Sequence, residues 1–212
     1  MVKKRKIKIF GVGGGATNII NRMIKNGLTG AEIWVLNTDK QMLKMGHTKN
    51  RILLGKKTTK GLGAGGDLSI GEEAAKESEQ DIKVALNGAD VVLITTCFGA
   101  GTGTGATPVI AKFAKDNGIF TIALVTKPFS WEGRRRQAQA EQGLEKLREC
   151  IDAILVVPND KLFEEEAKNL SEREPIFDTI DKALCKGIQG ISESVTNSDM
   201  IDIDYTDIRN FM

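Results

Sequence analysis

Short apolar runs alternate with longer amphipathic stretches along most of this chain. Residues 7–12 form the first apolar run, and Ile19, Ile20, Met23 and Ile24 follow it at helical spacing. Further apolar runs of strand length lie at 33–36, 91–94, 119–125 and 151–157. Near-continuous apolar strands that alternate with helices are typical of a parallel sheet covered on both faces. The pattern therefore predicts an α/β fold with three layers, in which a largely parallel sheet has about six strands.

Four amphipathic stretches predict the longer helices of this fold. They cover 69–86, 108–117, 137–150 and 175–195. The second of these helices is expected to begin at Pro108, because proline suits the first turn of a helix. In the last of them, Ile180, Leu184, Ile188 and Ile191 share one face, which predicts that this helix packs against a core.

The stretch 99–105 reads Gly-Ala-Gly-Thr-Gly-Thr-Gly and lies between a predicted strand and the helix predicted from Pro108. Glycine at every second position lets successive backbone N–H groups point into one concavity, and the following helix adds the positive end of its dipole. Thr102 and Thr104 add hydroxyl donors. These features predict an anion site suited to a phosphate chain. A flexible surface loop is the alternative interpretation.

A second glycine-rich turn, Gly11-Val12-Gly13-Gly14-Gly15-Ala16, follows the first predicted strand. Its spacing also fits the dinucleotide-binding fingerprint of a nicotinamide-dependent oxidoreductase. Against that interpretation, the second apolar run ends in Asn37-Thr38-Asp39 rather than in the acidic residue that would hold a ribose, and an oxidoreductase has no use for the stretch 99–105. A Walker motif is excluded, because Gly55-Lys56 lacks the upstream glycine.

Composition narrows the classes of partner. The chain has 212 residues, 41% of them apolar, and its 30 basic and 28 acidic residues give a net charge of +2. This balance favours neither nucleic acid nor a membrane surface as a partner. No apolar run has transmembrane length and no signal peptide precedes the first strand, so a cytoplasmic location is expected. Three scattered cysteines and one histidine predict neither a disulfide framework nor a metal site.

The stretch 99–105, followed by Ala106-Thr107-Pro108, resembles the glycine-rich signature of the tubulin and FtsZ family of GTPases. Other segments resemble the FtsZ branch of that family; they are 37–43, 59–66, 126–136 and 158–162. The resemblance implies the Rossmann-like GTPase domain of the family, with GTP or GDP and Mg²⁺ as its ligands.

The resemblance also implies roles for individual residues. Those expected to bind the nucleotide are, in chain order, Gly14, Gly15, Asn18, Gly99, Gly101, Thr102, Gly103, Thr104, Glu132, Arg136, Asn159, Phe177 and Asp181. The glycines and threonines would contact phosphate, Glu132 would accept hydrogen bonds from the ribose, and Arg136 would bind phosphate oxygens.

The remaining residues of that set would surround the base. Asn18 would lie beneath the guanine, Phe177 would stack on it, and Asn159 would approach the base and the sugar. Asp181 would accept hydrogen bonds from the N1 and N2 protons of guanine, which adenine lacks at that edge. Two structural interpretations stay open: Asn159 can cap a helix, and Phe177 can be an ordinary core residue.

Asp204 and Asp207 match the two aspartates that, in FtsZ polymers, enter the pocket of the neighbouring subunit and orient the attacking water. Asp202 stands where the family usually has Asn, and Asn197-Ser198-Asp199 replaces the usual Pro-Gly approach. The expected activity of the isolated chain is therefore GTP binding with weak hydrolysis.

The resemblance predicts residues 1–195 as a GTP-binding domain that includes the central helix, and 196–212 as the catalytic loop and the start of the next helix. The smaller C-terminal domain of the family is expected to be absent. The implied function is a self-assembling cell-division GTPase of the FtsZ type, located at the division site when assembled. Its expected partners are further copies of the chain or a full-length FtsZ, and a non-catalytic GTP-binding or filament-capping module is the alternative.

Overall fold

A six-stranded sheet whose neighbouring strands all run parallel forms the centre of the fold. The computed structural model describes residues 5–166 and 176–196. The strands are β1 (Ile7–Val12), β2 (Ala31–Asn37), β3 (Asn50–Leu53), β4 (Val91–Cys97), β5 (Phe120–Lys127) and β6 (Ala153–Pro158). They lie in the order β3-β2-β1-β4-β5-β6, so the direction of winding reverses between β1 and β4. In open parallel sheets ligands bind at such a reversal, beyond the carboxyl ends of the strands.

Helices cover both faces of the sheet. They are α1 (Gly14–Lys25), α2 (Lys40–Lys44), α3 (Leu68–Glu77), α4 (Glu79–Leu86), α5 (Gly101–Asp116), α6 (Arg134–Arg148), α7 (Asn159–Glu166) and α8 (Ile176–Thr196), with a 3₁₀ turn at Ser130–Glu132. The predicted α/β fold with a parallel sheet and three layers is confirmed. None of the described helices is long and apolar enough to cross a lipid bilayer.

Side chains that alternate along the strands supply two separate cores. In β1, Ile7 and Ile9 face the core formed with α1 and α8, whereas Phe10 and Val12 face the core formed with α3, α4, α5 and α6. The two-residue period of a strand produces this division, and the near-complete burial of both faces explains why β1 reads as a continuous apolar run.

The structure adds one strand to the predicted secondary structure and corrects two predictions. The strand β3 was not predicted, because it is short and carries Asn50 and Arg51 at the sheet edge. The predicted single helix 69–86 is wrong: it is divided at Ser78, a buried residue whose hydroxyl accepts a hydrogen bond from the Gly55 N–H at 2.9 Å. The predicted helix start at Pro108 is also wrong, since α5 already begins at Gly101 and contains Pro108.

The C-terminal predictions fall largely outside the described residues. The structure does not describe Asp204, Asp207 or the rest of the predicted catalytic loop. Most of the predicted segment 196–212 is likewise outside the described residues. Phe177 belongs to α8, but the structure does not describe its side chain.

Candidate functional site

A cavity of about 520 Å³ opens at the carboxyl edge of the sheet, where the winding reverses. Backbone-rich segments form most of its wall. Among the residues that line it are Gly13, Gly14, Gly15, Asn37, Asp39, Gly63, Ala64, Gly65, Gly66, Cys97, Gly99, Gly101, Thr102, Gly103, Arg135, Arg136 and Gln139. The cavity therefore brings together both glycine-rich turns, the loop before α3 and the start of α6.

The turn between β1 and α1 is fixed by its glycines. Gly13 has a φ of 86°, which a residue with a side chain rarely adopts, and its N–H donates to the Leu36 carbonyl at 2.9 Å. A Cβ on Gly13 would lie 3.1 Å from the Gly103 nitrogen, and one on Gly15 would lie 2.6 Å from Cys97 Sγ. The glycines thus let the two phosphate-binding candidates, the start of α1 and the start of α5, approach each other closely.

The glycines of α5 serve packing as well as access. A Cβ on Gly101 would lie 2.7 Å from the Asp67 carbonyl oxygen, a Cβ on Gly105 would overlap the Leu68 carbonyl oxygen, and a Cβ on Gly71 would overlap the Gly101 carbonyl oxygen. Helices α3 and α5 therefore meet backbone to backbone. The prediction from sequence attributed these glycines to access alone; the one-turn spacing of Gly101 and Gly105 was the signal for close helix packing.

The first turn of α5 still presents its amides to the cavity. The amides of Gly101, Thr102 and Gly103 come before the first intrahelical bond of α5, which runs from the Thr104 N–H to the Ala100 carbonyl at 3.1 Å. All three residues line the cavity. Their position at the positive end of the helix dipole makes this turn suited to an anion.

The two threonines of this turn have different surroundings. The Thr102 hydroxyl lies 2.6 Å from the Thr38 hydroxyl, and the two share a hydrogen bond beside the cavity. Thr104 is 1% exposed, and its hydroxyl accepts a hydrogen bond from the Gly99 N–H at 2.8 Å. Thr104 thus holds the turn at Gly99 from within and is not among the residues that line the cavity.

Loop 61–66 is attached to the end of β2. The Gly63 N–H donates to the Thr38 carbonyl at 3.2 Å, and the Lys40 N–H donates to the Gly61 carbonyl at 2.9 Å. Asp39 forms an isolated bridge with Leu62, while its carboxylate accepts from the backbone N–H groups of α2 at 2.7 and 3.0 Å. The Asp39 carboxylate is therefore committed to capping α2.

Glu132 and Arg136 form an ion pair across one turn at the start of α6. The Glu132 side chain is 13% exposed, and its other carboxylate oxygen accepts from the Phe129 N–H at 2.9 Å. Phe129 is buried and stacks on Trp131 with ring centroids 4.8 Å apart, although Trp131 itself is 64% exposed. These contacts fix Glu132 in place, and Arg136 lines the cavity with its charge already paired.

Cys97 lines the cavity and shows which carboxylates act on this side of it. The pKa of the Cys97 thiol is raised to about 11, mainly by burial and further by the carboxylates of Asp181 and Glu132, while a hydrogen bond with Thr126 opposes the rise. Asp181 also raises the pKa of Cys185, whose main cause is burial between α1 and α8. The charge of Asp181, on α8, thus acts both at the end of β4 and at the α1–α8 contact.

Seven of the predicted nucleotide-binding residues line the cavity: Gly14, Gly15, Gly99, Gly101, Thr102, Gly103 and Arg136. Asn18 is exposed on α1 and Asp181 is half-buried on α8. Asn159 is 7% exposed at the start of α7, and its Oδ1 has no hydrogen-bond partner within the described part of the chain. These residues and Glu132 stay predictions for the base and sugar, because they do not line the cavity itself.

Two lining residues, Cys97 and Gln139, lie outside every segment that resembles the family, and two others, Met42 and Arg135, lie inside such segments without an assigned role. Gln139 donates from Nε2 to the Gly66 carbonyl at 2.9 Å, so it connects α6 with loop 61–66. Arg135 and Gln139 are four residues apart on α6 and share one side of the helix. That spacing, next to the predicted Arg136, was a signal from which both residues could have been found.

Comparison with known proteins agrees with this geometry. Residues 6–166 match the profile of the Tubulin/FtsZ family, GTPase domain. The fold is similar to an FtsZ dimer from M. jannaschii solved without ligand, with 42% identity and a TM-score of 0.88 over 98% of this chain and 60% of that one.

Two more distant structures share the fold. A GTPγS-bound protofilament of CetZ2 from Haloferax volcanii has 23% identity and a TM-score of 0.78, over 92% of this chain and 60% of that one. A GDP-bound monomer of CetZ1 from the same organism has 23% identity and a TM-score of 0.77, over 97% of this chain and 63% of that one. The chain thus spans about three fifths of the length of the structures it matches. By its sequence profile and its sheet topology, the chain belongs to the tubulin/FtsZ family and carries the GTPase domain of that family.

Proposed function

We propose that the cavity at the carboxyl edge of the sheet binds GTP and GDP, and that the chain is the nucleotide-binding part of a self-assembling GTPase of the FtsZ type that acts in cell division. The observation that carries the proposal is the first turn of α5, whose amides line the cavity beside two arginines in a member of the tubulin/FtsZ family.

The charges around the cavity favour an anionic ligand. Arg135 and Arg136 line it. Of the acidic residues in the described part of the chain, Asp39 alone lines the cavity, and its carboxylate already caps α2. Backbone N–H groups at a helix start and paired guanidinium groups are the donors that proteins use for phosphate chains. The same chemistry would suit any nucleotide, so the choice of base depends on other residues.

Guanine would lie toward α1 and α8, where Asp181 supports the choice of base. Asp181 is close enough to Cys97 to raise the pKa of that thiol, and Cys97 lines the cavity. A carboxylate in this position can accept the two N–H groups of guanine, whereas the corresponding edge of adenine offers no such pair. Asn159, with a buried oxygen that has no partner in the described chain, would supply a further acceptor.

Mg²⁺ would enter with the nucleotide. No group of three His, Cys, Asp or Glu side chains that could hold a metal ion exists among the described residues. This fits Mg²⁺ in nucleotide sites, which keeps several waters and takes most of its other ligands from phosphate oxygens. The hydroxyls of Thr38 and Thr102 lie beside the cavity and could orient such waters. The ion would neutralise charge on the β- and γ-phosphates.

Hydrolysis would require a second subunit. In this proposal Asp204 and Asp207 of one chain reach the nucleotide of the next and orient the attacking water, while Arg136 and the α5 amides bind the phosphate oxygens as negative charge shifts among them. The chain would act in the cytoplasm, at the division site when assembled, through longitudinal contacts with its own kind or with a full-length relative.

The decisive experiment separates binding from turnover. Binding of GTP, GDP and ATP is measured at equilibrium in Mg²⁺, and GTP turnover per chain is measured at increasing protein concentration for the wild type, Asp207→Ala and a matched control, Asp199→Ala. We expect guanine nucleotides to bind and ATP not to bind. Turnover per chain should rise with concentration and be lost in Asp207→Ala alone.

Two results would contradict parts of the proposal. Equal binding of ATP and GTP would refute the role of Asp181 in choosing the base. Tight GTP binding with turnover that stays negligible at every concentration would refute hydrolysis between copies of this chain and would leave a nucleotide-binding module.

A further inference from the structure

The two arginines of the cavity are not equivalent. Arg136 is paired with Glu132, whose position is fixed in turn by the Phe129 N–H. Arg135 lines the same cavity but makes no hydrogen bond or ion pair with another residue in the described part of the chain. Arg135 is therefore the cationic side chain whose donors remain available to a ligand.

Arg135 and Arg136 also have different neighbours around the cavity. A Cβ on Gly99 would lie 3.3 Å from the Arg136 Cβ, so Arg136 and its partner Glu132 lie beside the turn between β4 and α5. Arg135 affects the Asp67 carboxyl instead: hydrogen bonds from Ser69 mainly lower the pKa of Asp67, and the charge of Arg135 lowers it further. Arg135 thus lies toward the segment where loop 61–66 leads into α3.

The contact between α6 and loop 61–66 supports this placement. Gln139, one turn after Arg135 on the same side of α6, donates to the Gly66 carbonyl at 2.9 Å. The same loop lies against the start of α5, since a Cβ on Gly101 would be 3.0 Å from the Ala64 Cβ. A phosphate chain that runs from the turn at Gly99 along the start of α5 would therefore end between Arg135 and loop 61–66.

The position of Arg135 is unfavourable for the empty protein. Arg134, Arg135 and Arg136 occupy the first turn of α6, where the positive end of the helix dipole repels cations. Gly133 precedes them and supplies no side-chain cap. An anion beside Arg135 would relieve this repulsion. Ligand binding therefore explains an arginine at this position, whereas packing does not.

We infer that Arg135 binds the terminal phosphate of a nucleoside triphosphate and thereby sets the preference of the site for triphosphate over diphosphate. The inference rests on the proposed nucleotide-binding function and adds a specificity residue to it. The guanidinium group can donate two parallel hydrogen bonds to oxygens of that terminal phosphate, and a diphosphate has no such group to accept them.

The test compares GTP and GDP affinities in Mg²⁺ for the wild type, Arg135→Gln, Arg135→Lys and the control Arg134→Gln, whose arginine is exposed on the same turn and does not line the cavity. We expect Arg135→Gln to weaken GTP binding about tenfold and GDP binding less than about twofold, because one charge-assisted contact is lost. Arg135→Lys should recover part of the loss, and Arg134→Gln should change neither affinity.

Several outcomes would overturn the inference. Equal losses for GTP and GDP in Arg135→Gln, or no loss for either, would remove Arg135 as the group that recognises the terminal phosphate while leaving the proposed function in place. A wild type that binds neither nucleotide would overturn both. Misfolding would not explain a selective loss, and the melting temperature of unliganded Arg135→Gln should equal or exceed that of the wild type because the substitution removes a repelled charge.

Discussion

The buried hydroxyl of Thr104 accepts a hydrogen bond from the Gly99 N–H at 2.8 Å, five residues earlier in the chain. Gly99 has a φ of 97° and lines the cavity, and the contact holds this turn between β4 and α5. A threonine that the family resemblance assigns to phosphate binding is thus, in the folded chain, engaged in shaping the phosphate-binding turn.

Replacing Thr104 by valine keeps the shape of the side chain and removes the acceptor. The Gly99 N–H would then be buried without a partner, so we expect the free energy of unfolding to fall by about 1–3 kcal/mol. Nucleotide affinity should fall as well, because the turn loses its internal support. Chemical denaturation and nucleotide titration measure the two effects.

Thr107→Val is the matched control for that substitution. Thr107 is also fully buried on α5, but its hydroxyl has no hydrogen-bond partner in the described part of the chain. Valine at this position should leave stability unchanged or raise it. Equal destabilisation by both substitutions would show that the Thr104–Gly99 hydrogen bond does not contribute measurably to the free energy of unfolding.

The contact between α3 and α5 predicts a large effect of one methyl group. In Gly71→Ala the new Cβ would overlap the Gly101 carbonyl oxygen, and backbone cannot move aside as a flexible side chain can. We expect a loss of stability of about 1–3 kcal/mol and weaker nucleotide binding, because the start of α5 must shift. Thermal unfolding and nucleotide titration test both consequences.

Gly190→Ala provides the contrast within another helix. A Cβ on Gly190 would meet nothing within 4 Å, so the substitution should stabilise α8 by about 0.5–1 kcal/mol through helix propensity. If Gly71→Ala were stabilising to the same degree, the close approach of α3 and α5 would be refuted.

The network between α3 and α6 predicts a pH dependence of stability. Hydrogen bonds from Lys146 and then Lys76 lower the pKa of the Glu72 carboxyl in the folded protein below its ordinary value. A lowered folded pKa stabilises the protein above the unfolded pKa of Glu72, and the contribution is lost as pH falls through the folded pKa.

Glu72→Gln should therefore cost about 0.5–1 kcal/mol near neutral pH and progressively less below about pH 4.3. Urea denaturation of both proteins across that range measures the difference. Glu73→Gln, at an exposed neighbouring position outside the network, is the control. A cost for Glu72→Gln that does not change with pH would contradict the role of its charge.

We expect Cys97 to be alkylated slowly and at a rate that depends on bound nucleotide. Because burial raises its pKa to about 11, the thiolate is scarce at pH 8, and labelling by iodoacetamide should accelerate as pH approaches 11. GTP or GDP should protect Cys97, which lines the cavity, as measured by mass spectrometry of the labelled peptide.

Cys150 is the internal reference for that measurement. It is buried, its Sγ lies 3.2 Å from the Pro108 carbonyl oxygen, and it does not line the cavity, so nucleotide should not change its labelling rate. Equal protection of both cysteines would indicate global stabilisation by the ligand and not occupation of the cavity beside Cys97.

The amino-acid sequence determined the α/β class, the parallel sheet and the place of the cavity. These features follow from local patterns: the continuous apolar runs of β1, β4 and β5 indicate strands buried on both faces, and glycine-rich turns after β1 and β4 mark the carboxyl edge of the sheet. Hydrophobic periodicity and turn-forming residues reflect interactions between near neighbours in the chain. They can therefore be recognised without knowing the tertiary contacts.

Contacts between residues far apart in the chain could not be read in the same way. The break at Ser78 depends on the Gly55 N–H, the need for glycine at 71 depends on the Gly101 carbonyl, and the different surroundings of Arg135 and Arg136 depend on loop 61–66 and on Glu132. Each of these is decided by the distance between groups that only folding brings together. The pattern of residue types therefore predicted where the cavity lies, whereas packing decides which of its side chains are already engaged and which remain available to a ligand.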